Sequence, residues 1–350
     1  ILVANPGSSS RKYALYHDDL SEIAQLHFEL ADHHVVCTLH SGDEARQIPA
    51  DIEKVEDASQ VLTDILLREK LLSGDEQIER IGLRVVAPGS FFTKDHTIND
   101  DVIRELESVE PLAPLHIAAT LHEARTLRQT YPNVRIVGVS DSAFHLKKPN
   151  YAWNYGIKLE DADRFEIKRY GYHGISVAAS INALWSSGKL PPKVVVCHLG
   201  SGSSVTAVFH GRSIDTTMGF SPNEGALMAT RSGNFSVDAA RVLKDKLQLD
   251  DAALDHYLNT QGGLVGIGGS NDIRELIERE ADGDHIAHLA LTTLIHTIHK
   301  AIGSMIVAMN GCDLIVFTGT VGERSSILRK RIIGHLEFLD FILDGEANEA

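Results

Sequence analysis

The opening segment of this chain recurs later in the same chain. Ile1–Asp18, ILVANPGSSSRKYALYHD, lies without a gap over Val194–Gly211, VVVCHLGSGSSVTAVFHG. Six of the eighteen positions are identical: Val3/Val196, Gly7/Gly200, Ser8/Ser201, Ser10/Ser203, Ala14/Ala207 and His17/His210. Both copies read as apolar strand, Gly/Ser turn and second strand. Any two hairpins share that outline, but these identities fall in the turn and on its flanks in one register. A repeat at this distance predicts two related domains, each with a hairpin near its start. A length of 350 residues suits about two domains, and the expected boundary divides 1–145 from 146–350.

Between the repeats, strand-like and helix-like periods alternate. Strands are expected at 1–5, 13–16, 81–86, 134–139, 193–197, 205–209 and 313–318, and helices at 58–71, 114–130 and 286–309. That alternation indicates an α/β class. Lys plus Arg number 33 against 48 Asp plus Glu, a formal charge of −15. Such acidity argues against nucleic acid or an anionic membrane as partner, while leaving room for a small anion at a locally basic site. Cys37, Cys197 and Cys312 are too few and too far apart for a disulfide framework or a zinc site, which fits a reducing cytoplasm. The run Ile302–Phe317 meets Asn310 and Asp313, too early to span a bilayer. No signal peptide precedes Ile1, and the first residue is not Met, so the chain is read as trimmed.

A Gly/Ser turn exposes backbone N–H groups and hydroxyls, a surface suited to phosphate oxygens. Here it joins two strands, so it is neither a Walker loop nor a dinucleotide fingerprint. Two such turns suggest a nucleotide held in a cleft between the domains; one alone is usually just a turn. Lys12 follows the first turn, within reach of a phosphate or simply solvated. Asn5 ends the first strand as a metal-side carbonyl or a turn residue. Arg84 sits inside an apolar strand and needs a partner there. With Arg231, in Thr230-Arg231-Ser232-Gly233, it would clamp carboxylate and phosphoryl oxygens; two structural ion pairs are the alternative. His173 lies between glycines in Arg169-Tyr170-Gly171-Tyr172-His173-Gly174. Asp141 follows a strand end, as a catalytic or metal-side carboxylate or a helix cap. His296 and His299 share a helix face and read as packing rather than a metal pair.

Taken in this order, the segments resemble the acetate kinase (acetokinase) family of the actin-like, ribonuclease H-like superfamily, over nearly the whole chain. Asn5-Pro6-Gly7-Ser8-Ser9-Ser10-x-Lys12 resembles its first signature, and Asp215-Thr216-Thr217-Met218-Gly219-Phe220-Ser221-Pro222-x-Glu224-Gly225 its second. Arg169–Gly174, Cys197–Gly202, Thr230–Gly233, Gly268–Arg274 and Phe317–Glu323 also fit.

The resemblance implies two related actin-like domains with a nucleotide cleft between them. It implies reversible phosphorylation of acetate by ATP, with Mg2+ or Mn2+, in a cytoplasmic homodimer that binds neither nucleic acid nor membrane. Carried over, Arg84 binds the substrate carboxylate; Val86, Leu115, Tyr172 and Pro222 enclose its methyl group; Asp141, His173 and Arg231 are catalytic; Asn5 lies at the metal. Lys12, Ser8, Ser10, His198, Leu199, Gly200, Ser201, Gly202, Asp272, Ile273, Arg274, Thr320, Val321, Gly322, Glu323 and Arg324 line the nucleotide site. The family's Asp is commonly given an acid/base role. A carboxylic acid with a pKa of about 4 is already ionised at neutral pH, so orienting Arg84 or holding metal-bound water is the better expectation for Asp141.

Several positions depart from the family pattern. Leu83 and Ala87-Pro88 stand where the family has His and His-Gly, and are expected to change the polar shell of Arg84. Ser201 replaces Asn, Asn234 replaces Asp, Tyr172 replaces Phe and Arg324 replaces Asn. A C-terminal strand and a metal-side Glu of the family do not appear before Ala350, which suggests an omitted tail and otherwise an unpaired sheet edge. Three readings are therefore carried forward: an acyl-phosphate-forming kinase for acetate or propionate, an enzyme with another donor such as pyrophosphate, and a weakly catalytic nucleotide-binding regulator. The opening Asn-Pro-Gly also resembles butyrate kinases; the second signature favours acetate kinases.

Overall fold

The computed structural model describes residues 1–7, 10–31, 34–73, 76–112 and 114–349, with the backbone alone at 114–116. The chain forms two compact units, Ile1–Ala143 and Phe144–Ala350. The expected boundary lies two residues further on. His145 belongs with the second unit, because its ring nitrogens meet Ser213 Oγ at 2.9 Å and the Tyr172 carbonyl at 3.0 Å.

The first unit is built on β1 (Leu2–Pro6), β2 (Ser10–Tyr16), β3 (Glu22–Ala31), β4 (His34–Ser41), β5 (Glu44–Ile48), β6 (Arg80–Val85), β7 (His96–Thr97) and β8 (Arg135–Ser140). They make one sheet in the order β5-β4-β3-β2-β1-β6-β8-β7. β1 to β5 form an antiparallel meander, while β1, β6 and β8 run parallel. The sheet is covered by the helices Ala58–Arg68 and Pro114–Thr130, whose Leu62, Ile65, Leu66, Ile117, Leu121 and Leu127 pack on Leu2, Leu15, Leu26, Phe28 and Ile81.

The second unit contains β9 (Lys193–Leu199), β10 (Ser203–Phe209), β11 (Arg212–Thr216) and β12 (Leu314–Thr318), in the order β11-β10-β9-β12. The unbroken apolar run of β9 is buried on both faces, as such runs are in covered sheets. Val195 and Cys197 join the core under the helix His285–Ala308, while Val194 and Val196 pack with Val177 and Ile181 of the helix Gly174–Ser186.

The repeat is architectural. β3-β2-β1-β6 and β11-β10-β9-β12 have the same order and the same directions: antiparallel, antiparallel, parallel. The ungapped sequence match holds only through the first strand. Pro6 pairs with Arg11 across the first turn, whereas Leu199 pairs with Ser203 across the second. The first turn is one residue longer, so Ser10/Ser203, Ala14/Ala207 and His17/His210 are identities out of structural register.

Two further expectations need correction. The helix His285–Ala308 is long and apolar enough to cross a membrane by length and composition. Its Ala287, Leu291, Leu294, Ile298 and Ile302 are instead core residues of the second unit. The sequence reading also passed over β3, β4 and β5 and the helices Val237–Leu247, Asp251–Thr260, Gly263–Gly268 and Ile273–Ala281.

Candidate active site

The residues singled out gather into two clusters, one within each unit. In the first unit, three neighbouring parallel strands end at one edge of the sheet, the position where open α/β sheets bind ligands. β1 carries Asn5 near its end, β6 carries Arg84, and Asp141 follows β8. Arg84 Nε donates to Asp141 Oδ1 at 3.2 Å and Nη2 donates to Oδ2 at 2.9 Å, a two-pronged pair. Arg84 Nη1 donates to Asn5 Oδ1 at 3.2 Å. Burial works against the Arg84 charge, but Asp141 outweighs it and raises the guanidinium pKa further.

Asp141 is almost wholly buried, and its position is fixed from the backbone. Its N–H donates to the Val85 carbonyl at 2.9 Å, and the preceding Ser140 N–H donates to Asp95 Oδ1 at 2.8 Å. Lys12 lies directly opposite Asn5 on β2, with His27 opposite Lys12 on β3. A polar row therefore crosses this end of the sheet.

Strand alternation corrects one expectation here. Leu83 is fully buried and points to the face opposite Arg84, so the family's histidine position does not border the guanidinium. Val86 is half-buried and Ala87 buried. Ser8 lies outside the described residues. Leu115 begins the helix Pro114–Thr130, and its side chain likewise lies outside them.

In the second unit the cluster is built around the β9–β10 turn, Gly200-Ser201-Gly202. His173 caps the helix Gly174–Ser186 in a left-handed conformation, φ 60°. That backbone is costly for a non-glycine residue and is typically kept at functional sites. His173 Nδ1 lies 2.9 Å from Ser204 Oγ, and its ring packs on His198 with centroids 4.1 Å apart. His198 Nδ1 lies 2.8 Å from Ser176 Oγ.

Arg231 Nη1 donates to the Pro222 carbonyl at 3.2 Å, and Ala229 N–H donates to the Ser201 carbonyl at 3.2 Å, which draws the arginine segment onto the turn. A Cβ at Gly202 would lie 3.1 Å from His173 Nε2 and 3.2 Å from Arg231 Nη1. The His173 ring and the Arg231 guanidinium thus approach one point beside Gly202, where any Cβ would crowd both.

Tyr172 is buried, and its hydroxyl donates to the Phe220 carbonyl at 2.7 Å. Pro222 is also buried. Leu199, Gly200, Ile273 and Val321 line one small cavity, which brings together three of the segments expected around a nucleotide. Asp272 caps the helix Ile273–Ala281 and takes both prongs of Arg274, at 3.0 and 2.6 Å. Those hydrogen bonds hold the Asp272 carboxyl down to about 2. Glu323 Oε1 accepts from Thr318 Oγ1 and from Gly319 N–H, each at 3.2 Å, so its carboxylate folds back on its own helix. Thr320 and Arg324 are exposed and Gly322 is buried.

No group of three His, Cys, Asp or Glu side chains able to hold a metal occurs among the described residues. Both Asp141 oxygens and the Asn5 oxygen face Arg84. Mg2+ is commonly held by one or two protein oxygens together with substrate phosphates and water, and the Asn5 and Asp141 oxygens are side-chain oxygens at this end of the sheet. His299 meets the Ile332 carbonyl at 2.9 Å and stacks on His335, which is helix packing.

Sequence reasoning gave no role to Ser204, Ser176, Tyr155, Arg169 or Glu224. Glu224 was visible as part of the second signature and Arg169 as the start of the Arg169–Gly174 motif. The others are ordinary polar residues whose partners are distant in the chain.

Residues 1–350 match the family model described as Acetokinase family. The chain is 39% identical to an acetate kinase of Thermoanaerobacter pseudethanolicus, covering all of this chain and 90% of that protein. It is 37% identical to an acetate kinase of Carboxydothermus hydrogenoformans over the same shares. Among solved structures, a propionate kinase from Francisella tularensis superposes with a TM-score of 0.91 at 35% identity, covering 99% of this chain and 90% of that one. The acetate kinase of Porphyromonas gingivalis gives 0.86 at 31% identity over the same shares.

Proposed function

Because the chain belongs to the acetokinase family, we propose that it transfers the γ-phosphoryl group of ATP reversibly to acetate, giving acetyl phosphate and ADP. Membership makes it a phosphotransferase with a carboxyl group as acceptor, on a two-domain actin-like α/β fold. The observation that carries the rest of the reading is the convergence of His173 Nε2 and Arg231 Nη1 beside Gly202.

Arg84 binds the acceptor. An arginine has five N–H donors. Three are engaged by Asp141 and Asn5, which leaves one donor on each of Nη1 and Nη2, the two nitrogens that can take a carboxylate bidentately. Val86, Leu115, Tyr172 and Pro222 enclose the methyl group. An acetate oxygen attacks the γ-phosphorus, a new O–P bond forms, and the bond to the β-phosphate bridging oxygen breaks with its electron pair leaving on ADP. Acetate is ionised at neutral pH, so no proton has to be abstracted. Asp141, paired on both oxygens, orients Arg84 rather than acting as base.

The remaining requirement is alignment and neutralisation of charge on the equatorial oxygens. His173 and Arg231 supply it. Lys12, Ser8, Ser10, the His198–Gly202 turn, Asp272–Arg274 and Thr320–Arg324 hold the nucleotide, which enters as its Mg2+ or Mn2+ complex. We also propose a cytoplasmic homodimer without nucleic-acid or membrane partners, which sedimentation at micromolar concentration tests.

The decisive experiment traps acyl phosphate with hydroxylamine, using acetate or propionate and ATP, GTP or pyrophosphate. ATP with acetate is expected to give the highest kcat/KM. Propionate is the second reading, because a methylene in an apolar pocket is worth only about 1–3 kcal/mol. Arg84→Ala should raise the acetate KM strongly, and Arg231→Ala should mainly lower kcat. No product with any donor would leave the regulator reading.

A further inference from the structure

Resting on that reading, we propose that Glu224 is a positioning residue for phosphoryl transfer, acting with Tyr155 and Arg169 to fix the loops that carry Arg231's partner and His173. Glu224 accepts a hydrogen bond from Tyr155 through Oε2 and pairs with Arg169 Nη1 through Oε1. Tyr155 Oη in turn accepts from Phe220 N–H at 2.7 Å. Arg169 Nη2 donates to the carbonyls of Thr216 and Thr217 at 3.4 and 3.5 Å, and its guanidinium lies 5.3 Å from the centre of the Tyr155 ring.

These contacts tie together two stretches far apart in sequence. One is 169–173, ending in His173. The other is 216–224, which carries Pro222. Two more bonds complete the seam: Gly171 N–H donates to the Gly219 carbonyl at 3.2 Å, and Tyr172 Oη donates to the Phe220 carbonyl at 2.7 Å. The Pro222 carbonyl then receives Arg231 Nη1. Glu224 therefore sits two residues from the acceptor that orients Arg231, and is bonded to Arg169, four residues before His173.

Glu224 and Arg169 are each about a quarter exposed, 24% and 23%, so solvent does not fully screen the pair. Gly219 leaves no room for a side chain at this junction, since a Cβ there would run into Glu224 and Tyr155. A one-ångström misplacement of a transition-state contact can cost on the order of 10²-fold in rate. Among the described residues the hydrogen-bond partners of the carboxylate are Tyr155 and Arg169, neither a proposed substrate nor nucleotide residue, so its effect should pass through Arg231 and His173.

The test is a double-mutant cycle in the full chain with the hydroxylamine assay. Glu224→Ala is expected to lower kcat by about 10- to 100-fold with the ATP KM within about threefold, and Glu224→Gln to recover part of the loss. Combined with Arg231→Ala, it should add less than about threefold, because both changes remove one arrangement. Tyr155→Phe, which deletes a single hydroxyl, should lower kcat while the melting temperature stays near wild type; it serves if Glu224→Ala does not fold. Independent, multiplying effects of Glu224 and Arg231, or an unchanged kcat in Tyr155→Phe and Glu224→Gln, would overturn the positioning role alone. Wild-type protein inert with every donor would overturn the kinase reading together with it.

Discussion

Arg84 and Asp141 are joined at both ends of the carboxylate, Nε to Oδ1 at 3.2 Å and Nη2 to Oδ2 at 2.9 Å, across the ends of two parallel strands. A carboxylate so engaged directs its partner. Asp141→Asn removes the charge and one acceptor while keeping the shape. A charge-assisted hydrogen bond contributes about 1.5–3 kcal/mol, so kcat/KM for acetate should fall at least about tenfold, with the loss weighted toward KM. Steady-state kinetics across pH checks it. Unchanged turnover and unchanged magnesium dependence would remove Asp141 from the mechanism, and a lost carboxylate ionisation in the pH profile would restore a role as base.

Gly202→Ala tests the convergence point. The new methyl would stand 3.1 Å from His173 Nε2 and 3.2 Å from Arg231 Nη1, closer than ordinary carbon contacts. The flexible arginine can yield; the histidine, held by Ser204 and by its left-handed backbone, cannot do so freely. The expected result is a kcat loss of about tenfold or more with a melting temperature close to wild type. Normal kcat would mean that the phosphoryl group is held elsewhere.

Tyr172→Phe separates stability from specificity. The Tyr172 hydroxyl is committed to the Phe220 carbonyl at 2.7 Å. Its loss should cost about 1 kcal/mol of stability, read by denaturant unfolding. The acetate-to-propionate ratio of kcat/KM should stay nearly constant, since the hydroxyl faces the protein. A ratio that shifts strongly would place that oxygen against the substrate.

Glu123 gives the pH dependence of folding a definite sign. It is fully buried, bonded by the Tyr13 hydroxyl at 2.9 Å and lying 3.5 Å from Arg11. Burial outweighs both partners and pushes its carboxyl up from 4.5 to about 7. A raised pKa stabilises the fold fully below the unfolded value and loses that contribution as pH rises through the folded one. The melting temperature should therefore decline from about pH 4.5 to 7 on account of this group, and Glu123→Gln should flatten that slope. An identical slope in the variant would assign the decline to other groups.

The parts legible in the sequence are those whose burial leaves a local trace. β9 reads as a strand because both its faces are covered, so Lys193–Cys197 carries no polar interruption. β3 and β4 were passed over because charged and histidine side chains, such as Glu22, His27 and Glu29, dilute the alternation of a sheet partly open to water. The helix Val237–Leu247 buries none of its residues, so no apolar stripe marks it.

The sequence alone determined the duplicated hairpin, the α/β class and the residue types of both clusters, because strand periods, glycine turns and signatures are local properties of the chain. Only the tertiary structure decided that both Asp141 oxygens pair with Arg84, that Leu83 faces away from it, that the first turn is one residue longer, and that Glu224 joins two loops. Each of these is a choice of partner across tens of residues. Strand alternation and hydrogen-bond geometry make that choice after the sheets have formed, and composition or spacing carries no record of it.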